Sequence, residues 1–73
     1  MTTETLYHVQ TEQIAKKICS RLRDQGIKAR WQYNVRGVPE VNVTHEPSQD
    51  AGVQQVVFRI DPAARPTSRG HAQ

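Results

Sequence analysis

From Ile27 to Val35 apolar and polar residues alternate without a break: Ile27, Ala29, Trp31, Tyr33 and Val35 against Lys28, Arg30, Gln32 and Asn34. A period of two belongs to a strand with one buried face. Upstream the period changes. Ile14, Ala15, Ile18, Cys19 and Leu22 recur at spacings of three and four, which at about 100° per residue gathers them into roughly 140° of arc, the stripe of a helix lying on a core. Thr11 stands at the N-cap position, and the charge of Glu12 suits the positive end of the helix. Gly26 follows the last periodic residue, where a left-handed backbone is least strained without a Cβ, and Ile27 is placed to fold back on Leu22.

Thr5 to Val9 reads as a short strand with Tyr7 and Val9 on one face and His8 on the other. After Arg36-Gly37, a turn, Val41 and Val43 alternate with Glu40, Asn42 and Thr44. Parity then constrains the hairpin. A two-residue turn would set Tyr33 against Glu40, so matching the apolar face of Trp31 and Tyr33 with that of Val41 and Val43 requires an odd connection of about three or five residues. Glu46 to Gly52 has loop composition. Gln55 to Ile60 reads as a last strand with Val56, Phe58 and Ile60 facing in, and Asp61 to Gln73, with two prolines and no large apolar side chain, reads as a disordered basic tail.

These elements predict a single α+β domain over residues 1–60 with a tail at 61–73. It has two layers in the order β-α-β-β-β, one helix covering a mostly antiparallel sheet. A right-handed crossover lays the first strand parallel to the second. Either edge of the three-strand meander suits the first strand.

Length and charge narrow the picture. Seventy-three residues allow one small core, and the single cysteine allows no internal disulfide, which points to a reducing, cytoplasmic setting. The first residues lack the pattern of a signal peptide, and the longest apolar run, Val56 to Phe58, is too short for a membrane span. The net charge of +3 conceals a polarity: Lys16 to Arg36 holds seven basic residues against Asp24 alone, whereas Gly37 to Asp61 holds Arg59 against Glu40, Glu46, Asp50 and Asp61. An acidic partner follows from that polarity.

No reaction announces itself. Cys19 lies on the apolar stripe of the helix, where a thiol packs as a small hydrophobe. His8, His45 and His71 are scattered without metal-ligand spacing, Glu40 and Glu46 show no sign of being a catalytic pair, and no glycine-rich phosphate loop is present. We therefore expect no enzyme, no cofactor and no metal. The candidate partner-binding residues are the exposed polar ones. Lys17 and Arg21 lie on the outward helix face, and Lys28, Arg30 and Gln32 project from the open side of the sheet, where Arg36 and Arg59 join them. Base stacking is disfavoured because Tyr7, Trp31, Tyr33 and Phe58 all fall in the inward register. Phosphate contact alone remains as an alternative, weak and steeply salt-dependent.

In its size, in the β-α-β-β core followed by the loose tail Asp61 to Gln73, and in its lack of an active-site set, the chain resembles the very small bacteriophage regulators of host RNA polymerase. The resemblance implies a monomeric, non-catalytic protein in the host cytoplasm. It implies binding to a polymerase subunit that inhibits or redirects transcription. It carries no motif, so it assigns no residue.

Overall fold

In the computed structural model, which describes residues 2–68, the chain runs through β1 (Thr3–His8), α1 (Glu12–Asp24), β2 (Lys28–Tyr33), β3 (Pro39–His45), a 3-10 turn at Pro47–Gln49, α2 (Asp50–Ile60) and β4 (Arg65–Ser68). The class is α+β, with two helices on one face of a four-stranded antiparallel sheet of order β2-β3-β1-β4. This order is the split β-α-β, or ferredoxin-like, arrangement, which hosts many unrelated functions and so identifies none.

The local signals around α1 all act as their chemistry predicts. The Ile14 N–H donates to Thr11 Oγ1 at 3.2 Å. Ala15, Ile18, Cys19 and Leu22 form the buried stripe. Gly26 adopts φ +78°, its N–H donates to the Arg23 carbonyl at 2.9 Å, and the Ile27 N–H donates to the Leu22 carbonyl at 3.0 Å. That pair of bonds is the Schellman terminus, and it aims the chain straight into β2.

Residues 34–38 connect β2 to β3, five in all, and Trp31 stands opposite Val41 with Ala29 opposite Val43. Asn34 organises the loop: its Oδ1 accepts from the Arg36 N–H at 2.8 Å and the Val38 N–H at 3.0 Å. The core lies between the sheet and both helices. Tyr7, Ala29, Val41 and Val43 meet Ala15, Ile18 and Leu22 from α1 and Val53 and Val57 from α2. Trp31 is half-buried at its margin, whereas Tyr33, expected inside, is 52% exposed because it lies at the end of an edge strand.

Three expectations are corrected. Gln55–Ile60 is helical, not a strand. Val53 and Val57, four apart, are both fully buried, and burying that stripe outweighs the strand preference of β-branched residues. Gln54 Nε2 also donates to Asp50 Oδ2 at 3.1 Å, one turn earlier. With that strand removed, no meander exists, and β1 lies parallel to β2 but separated from it by β3. The fourth strand comes from the expected tail: Arg65–Ser68 pairs with β1, Arg65 opposite His8 and Ser68 opposite Thr5. Asp61 turns the chain into it, accepting from the Ala63 N–H at 3.0 Å and the Gln10 N–H at 3.3 Å. The domain therefore extends past residue 60, and positions 69–73 of the expected tail lie outside the described residues. No helix among the described residues is long and apolar enough to cross a membrane.

Candidate functional site

On α1, Lys17 and Arg21 are four apart and so share a face; on α2, Gln55 and Arg59 do the same. The helices pack side by side, and along their outer seam these residues line a cleft of about 700 Å³. Half-buried Val56 and Ile60 supply its apolar floor, and Gln25 adds an amide at the C-cap of α1. Lys16, one residue away on the opposite flank, is paired with Glu12 at 3.0 Å. By contrast, none of Lys17, Arg21 or Arg59 has an ion-pair partner among the described residues. Three uncompensated cations around one concavity reinforce each other's field.

Arg59 is a correction. A strand over Gln55–Ile60 would have sent it to the open side of the sheet with Lys28 and Arg30, whereas α2 brings it to Lys17 and Arg21. Gln25, Gln55 and Val56 went unrecognised as site residues for the same reason. A 3.6-residue reading of Val53, Val56, Val57 and Ile60 would have set Gln55 and Arg59 outward.

Lys28, Arg30 and Gln32 project from the open face of the sheet, as expected, but they share it with carboxylates. Gln32, Glu40, His8 and Arg65 form one cross-strand row, and Arg30, Asn42 and Leu6 the next. Glu40, only 7% exposed, accepts from His8 Nε2 at 2.8 Å and Asn34 Nδ2 at 3.3 Å. Glu4 lies across Thr44 from Lys28. Among the described residues this face carries no Phe, Tyr or Trp ring. Arg36 stands apart from both surfaces, exposed in the β2–β3 loop beside Val35, which is 103% exposed.

The buried reactive groups are sealed. Cys19 is 4% exposed, and burial pushes its thiol up, opposed by nearby Arg23. The Tyr7 hydroxyl is buried with no hydrogen-bond partner among the described residues. Burial, then the charge of Asp50, pushes its phenol up to about 12. His45 donates from Nδ1 to the Glu46 carbonyl at 2.8 Å, and its Nε2 lies 3.4 Å from the Thr5 hydroxyl. Asp50 Oδ1 lies 3.7 Å from the same nitrogen. No group of three or more His, Cys, Asp or Glu among the described residues is placed to hold a metal ion.

A scan against protein-family models finds no match to this chain, and a search of curated proteins finds no relative.

Proposed function

We propose that this protein is a non-catalytic binding module that seats an acidic surface of a protein partner in the cleft between α1 and α2. The observation that carries the reading is the gathering of Lys17, Arg21 and Arg59, all without ion-pair partners among the described residues, around the apolar floor of Val56 and Ile60. The cations steer the encounter and raise the association rate, while the apolar floor and the two glutamine amides supply the short-range hold. The resemblance to phage regulators makes a host RNA polymerase subunit the first partner to test, with inhibited or redirected transcription as the consequence.

The experiment compares the protein with an Arg21→Glu/Arg59→Glu variant, titrating each against RNA polymerase, duplex DNA and single-stranded RNA across a salt series. Binding of the polymerase that the variant loses supports the reading. A nucleic-acid isotherm whose affinity falls log-linearly with salt, with no polymerase binding, replaces it by phosphate contact; three cations give a slope of at most about −3 in that case.

A further inference from the structure

The outer edge of β2 is a surface distinct from the cleft, on the opposite flank of α1, and its hydrogen-bonding state is readable residue by residue. The Asn34 N–H donates to the Val38 carbonyl at 2.9 Å, in the same register that sets Tyr33 opposite Pro39. Bonded and unbonded pairs alternate along an antiparallel ladder. Lys28, Arg30 and Gln32 therefore turn their backbone groups toward β3, and Ala29, Trp31 and Tyr33 turn theirs outward. Two details agree with this phase. Pro39, which has no N–H, stands opposite Tyr33, where none is needed. The Ala29 carbonyl accepts from Arg23 Nε at 3.1 Å, a donor on α1 and not on β3. Among the described residues the sheet ends at β2, so the outward N–H and C=O groups of Trp31 and Tyr33 have no neighbouring strand.

Side-chain chemistry alternates along this edge with the same period. Toward the helix layer lie half-buried Trp31 and Tyr33, the latter 52% exposed, with fully exposed Val35 beyond. Toward the open face lie Lys28 and Arg30, neither ion-paired among the described residues. We infer that β2 accepts, as a fifth strand, an extended segment of a partner in which apolar and acidic residues alternate. Its backbone bonds Trp31 and Tyr33, its apolar side chains lie on the aromatic shelf, and its carboxylate beside Trp31 meets Arg30. Arg23 occupies the Ala29 carbonyl, so pairing starts at Trp31 and runs toward Val35. A second copy of this chain fits less well. The open-face side chains of its β2 are Lys28, Arg30 and Gln32, so a copy brings no carboxylate to meet Arg30.

The test uses the intact, isotopically labelled protein and a blocked eight-residue peptide of alternating Glu and Val, read by amide hydrogen exchange. Without peptide, the Trp31 and Tyr33 amides exchange fast and those of Arg30 and Gln32 slowly. At saturation Trp31 and Tyr33 slow by at least about tenfold, and Arg30→Glu weakens the peptide by a similar factor. A peptide N-methylated along its bonding edge produces neither effect. Unchanged Trp31 and Tyr33 exchange at saturating peptide overturns the inference, and so does protection that appears on concentrating the protein alone, which is self-pairing. Chemical-shift changes confined to Lys17, Arg21 and Arg59 also overturn it while leaving the cleft reading intact. Retention of the fifth strand by Arg21→Glu/Arg59→Glu keeps failure of the two surfaces separable.

Discussion

Tyr33 donates its phenolic proton to Glu12 Oε1 across 2.6 Å, which ties the exposed end of β2 to the first turn of α1. The other oxygen of that carboxylate, Oε2, takes Lys16 at 3.0 Å. The Tyr33 bond, and then Lys16, hold the Glu12 carboxyl below its ordinary range. In return the Tyr33 phenol is raised by the same bond. A depressed carboxyl contributes stability above its unfolded pKa and loses it as the pH falls through the folded one. Tyr33→Phe should move the Glu12 titration upward, partway to the free value, because Lys16 remains. A carbon-detected NMR titration reads this directly, and an unmoved Glu12 curve would show that the contact does not act on it.

Tyr7→Phe should stabilise the protein at neutral pH by about 1 kcal/mol, because it removes a buried hydroxyl that has no partner among the described residues. The edge-on contact with Phe58, 6.1 Å between ring centres, survives the change. The phenol also sets an alkaline dependence. A raised pKa gives stability that is complete below the unfolded value of 10.0 and is lost as the pH climbs to about 12, on the order of 1 kcal/mol per pH unit. Urea melts of parent and variant from neutral to alkaline pH should diverge progressively in that window. Parallel curves would place a donor or acceptor on the Tyr7 hydroxyl.

Gly52 and Gly26 should respond oppositely to alanine. Gly52 lies inside α2 with nothing within 4 Å of an added Cβ, so Gly52→Ala should stabilise by about 0.5–1 kcal/mol. Gly26 holds φ +78°, and Gly26→Ala should destabilise by about 1 kcal/mol or more. Thermal melts of the two variants check the helical assignment of residues 50–60 independently of any binding assay. A destabilised Gly52→Ala would contradict it.

Charge reversal in the cleft should affect association more than stability. Arg21→Glu removes the like-charge spacing with Lys17 and should leave the melting free energy within about 0.5 kcal/mol. It should lower the association rate for an acidic partner, with the loss shrinking as salt rises. Stopped-flow mixing at two ionic strengths measures both quantities. A change confined to the dissociation rate would place Arg21 in a desolvated contact instead of in the steering field.

What was legible in the chain was what neighbouring residues settle among themselves. The cap at Thr11, the Ile18–Leu22 stripe and the left-handed Gly26 act over one or two turns, and the parity of the β2–β3 hairpin follows from strict alternation. Val56, Phe58 and Ile60 obey two periods at once. Within Gln55–Ile60 a period of two fits as well as a helical face, and only Val53, three and four residues upstream of Val56 and Val57, breaks the tie. Misreading that face sent Arg59 to the wrong side of the sheet and hid the cleft it completes. β4 carried no signal at all, because Arg65-Pro66-Thr67-Ser68 lacks apolar alternation.

The chain alone therefore determined the class, the first helix with both its ends, and that Ala29, Trp31, Val41 and Val43 share the core-facing side of the hairpin, since each depends on side-chain period and backbone sterics over short separations. Tertiary structure decided the rest. α2 is a helix because Val53 and Val57 find an apolar surface built by α1 and the sheet. Arg65–Ser68 becomes a strand because β1 presents backbone donors and acceptors that any extended segment satisfies. Lys17, Arg21 and Arg59 meet because two helices distant in sequence pack together, and no local pattern records which face of one will be laid beside which face of the other.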